Sequence, residues 1–479
     1  MIPATSFPDD SAESLPADKE FERDTLKKFD YKTLTMILVF YFVATGNLRI
    51  VALQDHIALP NRQFQICLTV FFAFCIPTAI PANLLLRKIG ARTLMSTFMV
   101  LWGIVASLQV LGTSYKGSVT VAAFLGFLEG PVRPTAILYL SRFHTRQELS
   151  LRLAVVLLTV PLSNAITAVL LSPLQNSNVD GGKDGWPWIL VSQGLFAFVM
   201  GILGFFLIPA TPRACKVLTE DEKCLIERRL RKDRPSSCQI DESPLKQIIC
   251  SLTSPHVVLV FIMMFMLGTL YYDLQSFPYG IVALLGFDPT KSQLLILAPS
   301  AVGFVVACFF AYLSDKYRNR AIPVALLGAI STLGYGIHVF TTKKYVAYAS
   351  LYLIVPGVFA GGPILLSWMA NNSDPYYREG TSIAIGITAM HLGGILSSWG
   401  FPLQEAPRYR RTAIVDLAFC GTIVFAALVN SLLLSHMNVS KKFHRNEILA
   451  PYTDEKNPDG GEKAWRELGD THPDFRYIL

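Results

Sequence analysis

Apolar runs fill almost all of the chain between residues 33 and 436, and one long hydrophilic stretch, at about 210–254, interrupts them. The runs predict helices at roughly 33–54, 64–85, 94–112, 118–140, 152–173 and 187–209, then at 255–278, 291–313, 321–341, 345–369, 380–401 and 411–436. Crossing a hydrocarbon core of ~30 Å takes ~20 residues of helix, so about twelve such spans use about half of the chain. Six spans, a charged linker and six more predict an all-α membrane protein of two six-helix bundles. That is the layout of a secondary transporter built from structural repeats, with its binding site near the midplane between the halves.

The polar residues 1–32 have no apolar h-region, so they are not a cleaved signal peptide and are expected to be a disordered tail. Residues 33–209 then form the first bundle, 210–254 a linker, 255–436 the second bundle and 437–479 a tail. Within the linker, Thr219 and Glu222 have the spacing of a capping box, which predicts an amphipathic helix from Leu218 to Leu230.

Composition narrows the class further. Of 479 residues, 52% are hydrophobic and 16% charged, against roughly 25% charged in soluble domains, which excludes a conventional cytosolic enzyme. The net charge of +7 sits in short clusters between apolar runs, with no basic stripe for a nucleic acid. Eight cysteines without CxxC spacing read as free thiols. No Ser/His/Asp, metal-ligand or phosphate-loop arrangement has the context catalysis needs, so neither an enzyme nor a cofactor or metal is expected.

The basic clusters also set the orientation. Arg87, Lys88 and Arg92 follow the second span, Arg142, Arg146 and Arg152 the fourth, and Lys316, Arg318 and Arg320 the eighth. With the linker arginines and Lys441, Lys442 and Arg445, they fall on one side together with both termini, the cytosol by the positive-inside rule. Arg408, Arg410 and Arg411 run against the trend. Two sequons, at Asn371 and Asn438, lie on the same side and are expected to stay unglycosylated.

Short motifs follow in order along the chain. They are Gly46-Asn47-Leu48-Arg49, Ile80-Pro81-Ala82-Asn83-Leu84, Phe124 to Gly130 with Pro134 and Tyr139-Leu140-Ser141, Trp186-Pro187-Trp188, Leu218 to Glu222, Leu313 to Arg320, Ala406 to Tyr409, and Asp474-Phe475-Arg476-Tyr477. This order and spacing resembles the anion:cation symporters of the major facilitator superfamily, and within them the fungal allantoate-permease branch. The resemblance covers nearly the whole chain. It implies proton-coupled movement of a small organic anion, typically a carboxylate, by a monomer embedded in lipid, with the plasma membrane as its location.

An ionisable residue inside a membrane is a functional candidate by default. Glu129, in the fourth span, matches the acidic position of the family motif, and Arg133 lies four residues on, on the same helical face. A cation favours the ionised carboxylate and burial the neutral acid, so an anionic substrate drawn to Arg133 would weaken the pair and raise the affinity of Glu129 for a proton. A purely structural ion pair is the alternative. Pro131 and Pro134 free backbone carbonyls beside it, which is tolerated where backbone lines a cavity.

Other candidates carry two readings each. Arg49, beside Asn47, matches the family's basic position and either binds a substrate carboxylate or snorkels to the interface. His391, in the eleventh span, is a substrate donor or pH sensor, or a satisfied core residue. Tyr271, Tyr272 and Asp273 line the access path or form an interfacial belt. Asp315, Lys316, Arg318 and Arg320 resemble the superfamily's gating signature, or only enforce sidedness. Gly393-Gly394 and Gly357, Gly361 and Gly362 allow close, sliding or merely packed helices.

Departures from the family pattern matter too. Tyr41-Phe42 stands where many relatives have an Asp-Arg pair, Ala122 where they have an arginine, and Ala79 where they have an acid, while Arg133 replaces an apolar residue. The positive charge of the site is thereby relocated. Three functions stay open: a proton-coupled carboxylate importer, an exporter of a secondary metabolite, and a nutrient sensor that does not transport.

Overall fold

The computed structural model describes residues 16–44, 60–112, 114–159, 186–234, 244–274, 278, 281–282, 285–286, 289–400, 409–453 and 461–479. Every regular element among them is helical. In the first half these are α1 (Pro16–Ala44), α2 (Asn61–Ile89), α3 (Ala91–Leu108), α4 (Tyr115–Glu129), α5 (Val132–Phe143), α6 (Leu149–Leu157) and α7 (Trp186–Leu207). The linker holds α8 (Glu220–Asp233) and α9 (Pro244–Thr253), and the second half α10 (Pro255–Asp273), α11 (Pro289–Tyr317), α12 (Ala321–Phe340), α13 (Lys344–Asn371), α14 (Tyr376–Trp399) and α15 (Arg410–Phe443). Two short helices, α16 (Arg445–Leu449) and α17 (Gly461–Leu468), follow.

Ten described helical stretches are long and apolar enough to cross a membrane. The expected first and fifth spans run into residues outside the described set, at 45–54 and 160–173. Large apolar side chains such as Phe206, Phe309, Phe425 and Leu432 are exposed on the outside of the bundle, while Glu129, Asp273, His391 and Asp416 are buried inside it. A soluble fold would reverse much of that; lipid as solvent makes the apolar exterior favourable.

Small residues set the closest helix contacts. A methyl group at Gly103 of α3 would lie 2.5 Å from the Phe198 backbone nitrogen of α7, and one at Gly268 of α10 would lie 2.5 Å from the Met390 carbonyl oxygen of α14. Gly393 meets Thr269 of α10 as tightly. These glycines let backbones approach where side chains would hold them apart. The two halves meet where α2 and α5 pack on α14, and where α6 packs on α11 and α13.

The expectation of a disordered tail over residues 1–32 fails for residues 16–32, which belong to α1. Thr25 and Phe29 are buried, Lys28 reaches Glu222 at 2.7 Å and Glu22 reaches Arg229 at 2.7 Å. The linker helix α8 supplies these partners. It starts at the expected capping box, with the Thr219 amide donating to Glu222 Oε2 at 2.8 Å and the Glu222 amide to Thr219 Oγ1 at 3.4 Å.

Candidate functional site

Two polar clusters lie on the seam between the halves. The first is in the middle of the bundle. Pro131 and Pro134 have no amide to donate, so the fourth span is interrupted at Gly130-Pro131 and continues as α5. Glu129 ends α4 and Arg133 opens α5, one helical turn apart, with Arg133 Nη2 3.3 Å from Glu129 Oε1. Arg133 Nη1 donates to the Tyr272 hydroxyl of α10 at 3.0 Å, so the guanidinium bridges the two bundles. Buried Phe72 of α2 packs its ring 4.8 Å from that of Tyr272 and 6.0 Å from that of His391 on α14. Tyr271 packs edge-on against Tyr272 at 5.4 Å.

Two donors or acceptors at this cluster are unspent. Arg133 Nε and His391 Nδ1 are buried and make no hydrogen bond. A buried polar atom without a partner costs about 1–3 kcal/mol, and a guanidinium is shaped to hold a carboxylate by two parallel hydrogen bonds. The cluster thus sets aromatic rings around one cation and has polar capacity to spare for an anion.

The second cluster closes the face that carries the basic residues. Glu379, fully buried at the start of α14, forms ion pairs with Arg142, at 2.8 Å, and with Arg234 just past the end of α8. Arg142 and Arg87 both stack on Tyr376, with guanidinium-to-centroid distances of 4.6 and 5.2 Å. Asp315 pairs with Arg320 at 2.6 Å and accepts from the Ser150 and Leu151 amides at 3.2 and 2.8 Å, so an acid of the second half caps the N-terminus of α6 in the first. A carboxylate is favourable there, where helix amides have no internal acceptor.

The sequence candidates divide accordingly. Glu129, Arg133, Tyr271, Tyr272 and His391 come together, and so do Asp315 and Arg320. Lys316 and Arg318 are exposed and take no part in that pair. Asn47 and Arg49 lie outside the described residues. Asp273 does not line an access path: it is 1% exposed and faces Asp416 of α15 and Ser397 of α14 inside the second bundle, because it sits one residue round the helix from Tyr272. Two further buried acids, Asp416 and Glu379, are not among the residues expected from sequence. Asp416 carries a readable signal, an acid within an apolar span, whereas Glu379 lies at a helix start, where acids are ordinary. Among the described residues there is no group of three or more metal-ligating side chains, and all seven described cysteines are free.

The chain matches the family model of the Major Facilitator Superfamily over residues 33–398. It belongs to that superfamily. The facilitator fold also appears in the proton:xylose symporter XylE, a solved structure with a TM-score of 0.66 at 15% identity, covering 84% of this chain and 94% of that one. Among sequence relatives, the major facilitator-type transporter hxnP of Emericella nidulans is 25% identical over all of this chain and 98% of its own length. The high-affinity nicotinic acid transporter of Saccharomyces cerevisiae is 24% identical, again over all of this chain and 88% of its own. This facilitator is therefore a multi-pass membrane transporter of a small molecule and not an enzyme.

Proposed function

We propose that this facilitator is a proton-coupled importer of a small organic carboxylate, of the anion:cation symporter type and the fungal allantoate-permease branch. The observation that carries the reading is Arg133, a half-buried cation on the seam with one buried nitrogen unspent, beside an acid and a histidine with a ring nitrogen unspent. The resemblance to a nicotinic acid transporter supports the same substrate class.

In this reading the basic face is cytosolic, as the concentration of Lys and Arg requires. A substrate carboxylate binds Arg133 with help from Tyr272 and His391, and its ring or chain lies against Phe72 and Tyr271. Competition for the guanidinium loosens Glu129, which then takes up a proton, so anion and proton load together without any relay. Asp315 and Arg320 belong to the gate. The protein works as a monomer in the plasma membrane.

Uptake of a labelled panel of mono- and dicarboxylates, nicotinate included, at acidic outside pH with and without a protonophore tests the proposal. Accumulation of one acid that collapses with the protonophore is expected. Accumulation that ignores the protonophore overturns coupling, and outward flux alone replaces import by export.

A further inference from the structure

Residues 469–479 do not hang from the protein; they are stitched to its basic face. Asn372, at the end of α13, donates to the Ile478 carbonyl at 2.9 Å and accepts from the Ile478 amide at 2.8 Å. Asn438 of α15 does the same for Tyr477, at 2.9 Å in both directions. Trp368 Nε1 donates to the Ile478 carbonyl at 2.8 Å, Arg378 pairs with Asp470, and Lys441 donates to the carbonyls of Asp470 and Phe475. Lys441 also stands 3.6 Å from the centre of the Tyr477 ring, and the Arg320 amide donates to a main-chain oxygen of Leu479. Every one of these partners belongs to the second half.

Among the described residues, Arg146 of the first half reaches the same segment. Arg146, in the turn between α5 and α6, lies over the Phe475 ring at 4.6 Å and donates to the Arg476 carbonyl at 3.4 Å. The same arginine pairs with Asp233 at 3.5 Å, and its carbonyl accepts from Arg320 and Asn371 of the second half, each at 2.8 Å. Weighing the two sets of contacts decides how the segment moves. Many short hydrogen bonds, four of them in two reciprocal asparagine pairs, tie it to the second half, while a cation–π contact and one long hydrogen bond tie it to the first. When the halves part on this face, the Arg146 contacts are the ones that break.

We propose that residues 469–479 are a working part of the gate on the basic face: they travel with the second bundle and hold Arg146 of the first only while that face is closed. Removing the hold shifts the protein toward the state open on that face. This goes beyond the substrate and coupling reading above and stands or falls independently of it, since it needs only that the two halves part.

Asn83 provides the probe. It is buried on the seam and donates from α2 to the Gly380 carbonyl of α14 at 2.8 Å, on the same face, so it becomes accessible only when the halves separate there. The experiment labels Asn83→Cys with a membrane-impermeant maleimide applied to the basic face of the purified, reconstituted protein, with Cys224, Cys238 and Cys250 replaced by serine. Adding Phe475→Leu keeps the apolar volume and removes the aromatic face under Arg146, and labelling is expected to speed up roughly threefold. Deleting residues 475–479 is expected to speed it roughly tenfold or more. Wild-type labelling rates in the Phe475→Leu protein, with an unchanged elution profile, overturn the proposal and leave the segment as packing for the second bundle. If the shortened protein does not fold, Phe475→Leu decides alone.

Discussion

Arg133 spends its guanidinium on two partners at once, the carboxylate one turn before it and a tyrosine 139 positions later. A lysine carries the same charge on a single nitrogen without the planar fork, so it cannot hold a carboxylate by two parallel hydrogen bonds. Arg133→Lys is expected to raise the apparent KM for the transported acid roughly tenfold with protein at wild-type abundance, read from initial uptake rates. Glu129→Gln removes the proton acceptor but keeps the shape of the site. It is expected to abolish protonophore-sensitive accumulation while leaving exchange of internal for external substrate, and full uphill transport by this variant would remove Glu129 from the coupling step. This pair is legible because it is local: residues four apart in one helical span share a face, and the break at Gly130-Pro131 is too short to part them. Tyr272, Phe72 and His391 were legible only as polar or aromatic residues in apolar runs, since nothing local says that three other helices turn them toward Arg133.

Among the elements, the tight crossing of α10 and α14 depends on residues without side chains. Gly268→Val would set its Cβ 2.5 Å from the Met390 carbonyl oxygen, far inside van der Waals contact, at a cost of about 1–3 kcal/mol. The thermal midpoint in detergent is expected to fall by several degrees, whereas Gly336→Ala, whose added carbon meets no neighbouring helix within 4 Å, is expected not to lower it. The sequence motif Gly393-Gly394 pointed to close approach. That Gly393 meets Thr269, and Gly394 meets Phe72 and Tyr272, depends on how the bundles cross. α1 shows the opposite limit. Its polar first half reads as a tail because its neighbours, Glu222 and Arg229, lie about 200 positions away on α8.

At the scale of the whole molecule, charges on separate segments tie α1, α6 and the linker into one face. Glu148 is among them, 2.7 Å from Arg229 and 3.8 Å from Arg152. Burial pushes its carboxyl up, but Arg152 and Arg229 outweigh burial and hold it below the usual carboxylate range. A carboxyl held low in the fold contributes stability above its unfolded value of ~4.3, and that contribution is lost as pH falls through the lower folded value, because the unfolded chain takes up the proton first. The thermal midpoint of the solubilised protein is therefore expected to drop steeply below about pH 4. Arg229→Gln is expected to start lower at neutral pH and to drop less, since less of the carboxyl's stabilisation is there to lose. Equal slopes for the two proteins would remove Glu148 from the interface.

The sequence alone already determined the solvent of this chain, its helical class, the side on which its basic residues gather and the Glu129–Arg133 pair. All of these follow from run length, local spacing and the cost of charge in lipid. Tertiary structure alone decided that Arg133 bridges to Tyr272, that Asp273 turns away from the seam toward Asp416, that Glu379 gathers two arginines, and that residues 469–479 lie against the second bundle within reach of Arg146. Helical periodicity says which side chains share a face. Which face meets which is settled only when two bundles pack, and every one of those contacts joins residues from different helices or segments.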